Sequence, residues 1–274
     1  MVVILVYIDD LLITGNDHEM VLDTKKIFQD KFKIKDLGNL RYCLGIEFAR
    51  SEAGILMHQR KYCLEFISDM GLSNSKPVGA PMELNQKLTT SKFDSYFPPV
   101  GSTDKFLEDP TRYQKLVGRL LYLTITRPVI ACAVQLLSQF MHKPKISHME
   151  AAMRVVKYVK NSPGLGILMT SKGAKQLRAF CDADWASCPN TRKSTTGYFV
   201  FCGDSLVSWK SKKQNTISIS LAEAEYRSLA STVAEIVWLV GLYKELGVDV
   251  ALPMSICSDS KSLIQITANL VFHE

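Results

Sequence analysis

The sequence lacks a long hydrophobic run, a basic leader segment and any pair of cysteines spaced as Cys-x-x-Cys. Its longest apolar run, Met1 to Ile8, is too short to cross a bilayer, so we expect a soluble chain without a membrane partner. The seven cysteines are an odd number scattered over 274 residues. We predict that they are reduced and buried, and a zinc site has little support without a spaced set of Cys and His ligands.

Composition indicates a folded chain with an uneven charge. Hydrophobic residues make up 47% and charged residues 22%, which excludes a disordered or fibrous protein. The net charge is +6, and residues 143–227 hold 14 basic against 6 acidic residues, so the remainder is slightly acidic. A basic segment of this kind suits a polyanion such as nucleic acid, although a merely solvated face is an equally good interpretation of the charge alone.

The first part of the chain predicts two strand pairs, each followed by a helix. Residues 1–15 indicate a β-hairpin with Asp9 and Asp10 at its tip, followed by a helix that Asn16 or Asp17 caps. Two further strands, 41–49 and 55–58, precede a helix over 59–70. The segment 76–110 holds five of the ten prolines without hydrophobic periodicity, which predicts a linker or long surface loop.

The second part predicts helices and then a mixed sheet. Helical periodicity covers 113–123, 129–141 and 147–159. Four strands follow at 166–169, 177–181, 197–201 and 206–209, then a long helix over 222–246 with Ser220 as its cap, a buried strand over 253–257 and a short helix over 260–268. The predicted fold class is therefore α/β in the broad sense (α+β), with helices packed on a mixed sheet.

Carboxylates occupy strand ends and a helix start in the last third. Asp182 and Asp184 follow one strand, Asp259 follows another, and we place Glu223 and Glu225 in the first turn of the long helix. Such positions can bring three acids together, and convergent carboxylates in basic surroundings suit Mg²⁺. The alternative stays open that these acids only stabilise a helix dipole and turns, and that Asp9 and Asp10 only form a polar hairpin tip.

Six stretches, in order along the chain, carry a family resemblance. They are VYIDDLLITGN, KIKDLGNLRYCLGIEFAR, YQKLVGRLLYLTITRP, AFCDADWASCPNTRKSTTGYFVF, SWKSKKQNTISISLAEAEYRSLA and ICSDSKSLIQITANLVFHE. The chain resembles the C-terminal part of the Pol polyprotein of Ty1/copia-type retrotransposons, in which the end of the reverse transcriptase precedes a ribonuclease H domain. The resemblance implies four parts: a remnant of the reverse transcriptase palm (1–75), a linker (76–110), a helical thumb or connection subdomain (111–163) and a ribonuclease H-like domain truncated at its C-terminus (164–274).

In the reverse transcriptase part, the resemblance implies that Asp9 and Asp10 hold polymerase metals. Their partner aspartate in the family lies far upstream of this sequence. We therefore expect no RNA-directed DNA polymerase activity from this fragment alone, because a hairpin cannot complete a two-metal site. The missing parts of Pol are the partners that could complete it.

In the ribonuclease H part, the resemblance implies that Asp182, Glu225 and Asp259 bind two Mg²⁺ ions, with Mn²⁺ as a substitute, and cleave the RNA strand of an RNA/DNA hybrid. Asp184 and Glu223 are the second choices as ligands. The basic residues that we expect to contact the hybrid phosphates are Arg192, Lys193, Lys210, Lys212 and Lys213. The alternative is a catalytically inactive retroelement relic that at most binds nucleic acid.

Overall fold

The computed structural model describes residues 1–83, 86–98, 104–173 and 175–269. The predicted linker 76–110 is therefore covered only in part, and the last five residues of the sixth matching stretch lie outside the described residues. Helices and sheets are mixed, which confirms the α/β (α+β) class. None of the described helices is long and apolar enough to span a membrane.

The strands are β1 (Val2–Tyr7), β2 (Asp10–Gly15), β3 (Tyr42–Cys43), β4 (Ile46–Ser51), β5 (Gly54–His58), β6 (Gly166–Thr170), β7 (Gln176–Asp184), β8 (Thr195–Cys202), β9 (Ser205–Lys213) and β10 (Ala251–Cys257). The helices are α1 (His18–Lys31), α2 (Arg60–Asp69), α3 (Ser91–Tyr96), α4 (Pro110–Leu123), α5 (Ala131–Ser138), α6 (Ile146–Lys160), α7 (Leu221–Glu245) and α8 (Lys261–Ala268), with a 3-10 turn at Pro128–Ile130.

The N-terminal hairpin and helix form as the sequence predicts. β1 and β2 pair antiparallel, and Ile8 takes a positive φ of 48° in the turn before Asp9. The Asp17 carboxylate accepts hydrogen bonds from the first amides of α1 and so caps that helix. Of the two caps that the sequence offers, Asp17 is therefore the one that the structure uses.

The second sheet has the order β3-β4-β5-β6, all antiparallel. The prediction of one strand over 41–49 is wrong, because Leu44 and Gly45 both have positive φ values and fold β3 back onto β4. A side chain at position 45 would meet the Tyr122 hydroxyl at 2.8 Å, so glycine permits both the turn and this approach. β6 pairs with all of β5, so the first strand of segment 164–274 shares a sheet with segment 1–75.

The main hydrophobic core lies among α2, α4, α5 and α6. The segment predicted as a linker contains α3 and is bound to this helical unit: the buried Lys145 forms ion pairs with Asp94 and Asp104. Beyond the helical unit, the Thr90 amide donates to Asn190 Oδ1 at 2.8 Å. Proline content alone did not reveal these attachments, which depend on residues more than 40 positions away.

The third sheet has the order β10-β7-β8-β9, with β10 parallel to β7 and the other pairs antiparallel. Its second core joins β7 and β8 to α7 through Leu177, Ala179, Val200, Ile236 and Leu239. The prediction that the strand over 253–257 is buried is wrong: within the described chain, β10 lies at the sheet edge and is largely exposed. All seven cysteines are free, but the prediction that they are buried holds only for Cys63, Cys181 and Cys188, since Cys43 and Cys202 are half-buried and Cys132 and Cys257 are exposed.

Candidate metal centre

The strand β7 presents Asp182 through simple alternation. Its burial pattern switches at every residue, with Cys181 and Ala183 buried and Asp182 and Asp184 exposed. Period-two geometry sends neighbouring side chains to opposite faces, so the apolar contacts of β7 with α7 fix which face the aspartates take. The register with β8 pairs Asp182 with Gly197, which has no side chain to cover it.

The helix α7 presents Glu225 from its second turn. Ser220 caps the helix by accepting from the Glu223 amide at 3.1 Å, and the Glu223 carboxylate accepts from the Ile219 amide at 2.7 Å. Glu223 also pairs with Arg227 at 2.6 Å. The prediction that both glutamates lie in the first turn is wrong for Glu225: only Glu223 belongs to the first turn.

The structure brings together the three acids that the sequence analysis selected. Carboxylate oxygens of Asp182, Glu225 and Asp259 all lie within 4.8 Å of one another. Asp182 and Asp259 are exposed, whereas Glu225 is 4% exposed and its Oε2 atom has no hydrogen-bond partner among the residues that the structure describes. A buried carboxylate oxygen without a donor is costly, and a divalent cation is the natural partner for it.

The electrostatics of Glu225 reflect this crowding. Burial and the neighbouring Asp182 charge raise the pKa of Glu225; the Ala183 amide, which donates to its carboxylate, opposes the rise, and Asp259 adds to it. A cation bound among the three carboxylates would offset the burial and repulsion that disfavour the ionised form.

The remaining predicted ligands lie elsewhere. Asp184 and Glu223 are outside the cluster of three acids. Asp9 lies in the turn of the first hairpin and Asp10 begins β2, and among the described residues no third metal-ligating side chain completes a group with them. A metal role for Asp9 and Asp10 stays a prediction.

The predicted phosphate-binding residues fall into two classes. Arg192, Lys210 and Lys212 are exposed, and Lys193 is half-buried. The Lys213 ammonium instead donates to Gln139 Oε1 at 2.6 Å and lies 3.5 Å from Cys188 Sγ, so it joins β9 to the helical unit. Lys210 and Lys212 share one side of β9, since they are two residues apart on a strand.

Two residues that hold the site in place were not predicted. Gln214 donates to Thr196 Oγ1 at 3.1 Å and to the Ala224 carbonyl at 2.9 Å, which ties the start of α7 to the sheet. Ser228 is fully buried and donates to the Asp182 carbonyl at 2.7 Å. A serine inside a helix three residues after a candidate ligand was the available signal, because serine is a poor residue for helix interiors.

Comparison with known proteins gives a consistent set of relatives. Residues 1–84 match the family described as reverse transcriptase (RNA-dependent DNA polymerase). The retrovirus-related Pol polyprotein from transposon RE1 of Arabidopsis thaliana is 40% identical over 99% of this chain, which covers 18% of that protein. The corresponding polyprotein from transposon RE2 of the same plant is 40% identical over 98% of the chain, again 18% of that protein.

A shorter relative matches over most of its own length. An uncharacterized mitochondrial protein of Arabidopsis thaliana is 37% identical over 86% of this chain and 93% of that protein. The chain thus spans about a fifth of the length of the Pol polyproteins that it matches. No solved structure matches the chain.

Proposed function

Because the chain belongs to the retrovirus-related Pol polyproteins of copia-type retrotransposons and contains reverse transcriptase sequence, we propose that Asp182, Glu225 and Asp259 form the metal centre of a ribonuclease H-like nuclease. Its substrate is the RNA strand of an RNA/DNA hybrid. The observation that carries this proposal is the buried Glu225 Oε2, which has no hydrogen-bond partner in the described part of the chain and lies beside two exposed aspartates.

The donor set fits hard divalent cations. Carboxylate oxygens are the ligands of Mg²⁺ and Mn²⁺, and the open side of this cluster leaves coordination positions for water and phosphate. When bound, two such ions supply an activated water and stabilise the leaving oxygen of a phosphodiester. Among the described residues, no nitrogen or sulfur ligand belongs to the cluster, which argues against zinc.

Different residues of the chain have different roles at the proposed site. The Ala183 amide favours the ionised form of the Glu225 carboxylate, because it opposes the rise of that pKa in a site where charge is crowded. Asp182 and Asp259 are exposed and can meet a polyanion from the solvent side. The exposed Lys210 and Lys212 contribute positive charge on the same domain, in keeping with phosphate contacts that set affinity rather than sequence preference.

The experiment is cleavage of a hybrid labelled on its RNA strand, in Mg²⁺ and in Mn²⁺, by the full chain. Asp182→Asn and Glu225→Gln each remove one ligand charge, while Asp204→Asn removes an exposed carboxylate in the β8–β9 turn and serves as the matched control. We expect cutting by the wild type and by Asp204→Asn only. Binding of the hybrid by a folded wild-type chain that never cuts it would instead support the non-catalytic alternative.

A further inference from the structure

Ser228 lies on α7 three residues after Glu225 and is completely buried. Its hydroxyl donates to the Asp182 carbonyl at 2.7 Å and lies 3.4 Å from the Gly197 carbonyl. Both carbonyls belong to strands, so this hydroxyl connects the helix to the backbone of β7 at the residue that carries the first carboxylate. Residues three apart lie on the same face of a helix, which places Ser228 beside Glu225.

Ser228 and Glu225 both lie near one peptide group. The carbonyl of the bond between Asp182 and Ala183 accepts from Ser228, and the amide of the same bond is close enough to the Glu225 carboxylate to oppose the rise of its pKa. A peptide group is planar and rigid, so fixing its carbonyl also fixes its amide. The relative position of the Asp182 and Glu225 side chains is therefore tied to the hydrogen bond between Ser228 and the Asp182 carbonyl.

We propose that Ser228 is a positioning residue for the metal centre, which keeps Asp182 and Glu225 at the separation that a divalent cation requires. This inference rests on the proposed function and assigns it a residue outside the acidic cluster. The hydroxyl touches neither cation nor substrate, and its effect passes through the backbone of Asp182. Groups that orient the ligands of a metal typically change metal affinity 10–100-fold when they are removed.

Thr232 offers a matched comparison one turn further along α7. It is also fully buried, and its hydroxyl donates at 2.9 Å to the Ser228 carbonyl, within its own helix. Removing that hydroxyl deprives the same helix of a buried polar group without releasing the Asp182 carbonyl. A merely structural role for buried hydroxyls on α7 predicts similar behaviour of Ser228 and Thr232 variants.

The test uses the full chain as Ser228→Ala and Thr232→Val. Mn²⁺ affinity is measured by electron paramagnetic resonance titration, and hydrogen exchange of the Ala183 amide is measured by NMR without metal. We expect Ser228→Ala to bind Mn²⁺ roughly tenfold more weakly and to lose protection of the Ala183 amide, with Thr232→Val unchanged in both. Ser228→Cys, whose thiol is a weak donor of similar size, replaces Ser228→Ala if the alanine variant does not fold.

The outcomes separate this inference from the proposed function. Wild-type Mn²⁺ affinity retained in Ser228→Ala, or an equal loss in Thr232→Val, overturns the positioning role. A wild-type chain that binds no Mn²⁺ at the three acids overturns the proposed function. In that case the hydrogen exchange of the Ala183 amide tests the positioning role by itself. Unchanged exchange in Ser228→Ala overturns the positioning of Asp182 by Ser228, and lost protection supports it.

Discussion

Glu223 and Glu225 lie two residues apart on α7, yet their carboxylates serve different parts of the molecule. The first accepts from the Ile219 amide, just before the Ser220 cap, and pairs with Arg227. The second is buried and lies beside two aspartates. One glutamate therefore supports the start of the helix, and the other belongs to the cluster that we propose as a metal centre.

This difference predicts opposite phenotypes for two identical substitutions. Glu225→Gln is expected to reduce hybrid cleavage by more than the roughly 10–100-fold that supporting residues of metal sites cost. Glu223→Gln is expected to cut the hybrid at nearly the wild-type rate and to lower the free energy of unfolding slightly, because a negative charge is removed from the first turn of α7. Cleavage rates and urea denaturation measure the two effects. Equal losses of activity would contradict the assignment.

Two lysines of β9 are expected to affect nucleic-acid binding, and the third is expected to affect stability. Lys210→Gln and Lys212→Gln remove exposed charges, so each substitution that abolishes a phosphate interaction should reduce the slope of log affinity against log salt by about 0.9. Lys213→Met removes the donor to Gln139 and should chiefly lower stability. Hybrid binding at several salt concentrations tests the change of slope, and thermal unfolding tests the loss of stability. An unchanged slope in both glutamine variants would argue against phosphate binding on this side of β9.

His148 predicts a loss of stability in mild acid. It is fully buried and stacks on Phe140 at 3.9 Å, and burial together with the nearby Lys145 charge lowers its pKa to about 4. The unfolded chain takes up the proton near pH 6.5, so stability is complete above that pH and falls as the pH drops towards 4. The expected loss is about 3 kcal/mol, at 1.36 kcal/mol for each pKa unit.

Urea denaturation at a series of pH values measures how the unfolding free energy changes with pH. His148→Phe cannot be protonated and keeps an aromatic ring against Phe140, so its unfolding free energy should be much flatter between pH 6.5 and 4. The Asp94 carboxylate does not add to the pH dependence between pH 6.5 and 4. Burial acts to raise its pKa, but the hydrogen bonds from Lys145 and Thr89 outweigh it, so the pKa is lowered and its contribution is lost only in stronger acid. If the unfolding free energy of His148→Phe depends on pH as steeply as that of the wild type, protonation of His148 is not the cause.

Two glycines should respond to alanine with opposite signs. A Cβ at Gly166 would lie 2.1 Å from the Met57 carbonyl oxygen, so Gly166→Ala must separate β5 from β6 and should cost about 1–3 kcal/mol. Gly118 lies within α4 with nothing within 4 Å of the added atom, so Gly118→Ala should stabilise the chain by about 1 kcal/mol. Chemical denaturation of both variants provides the comparison, and destabilisation by Gly118→Ala would contradict it.

Local signals predicted much of the fold and the candidate site. Periodicity and capping located α7 and its Ser220 cap, and a short strand pattern located most of β7, because both depend on residues close in sequence. Strand ends and a helix start offered five acids, and the family resemblance singled out Asp182, Glu225 and Asp259, although Glu225 lies one turn further into the helix than predicted.

The errors arose where distant residues decide the structure. The turn at Leu44 and Gly45 accommodates the Tyr122 side chain of α4, nearly 80 residues away. The attachment of the proline-rich segment depends on Lys145, and the bond between Ser228 and the Asp182 carbonyl joins residues 46 positions apart. Periodicity within a short window contains no information on such pairs.

The pairing of β5 with β6 joins residues 54–58 to residues 166–170 and so encloses the helical unit in one large closed loop. To complete this sheet the chain must close a loop of more than a hundred residues, which favours slow folding. The same pairing governs how the protein can be divided. A cut at residue 164 would leave β5 with an unpaired edge on one piece and β6 without its partner on the other, and both edges would be prone to association.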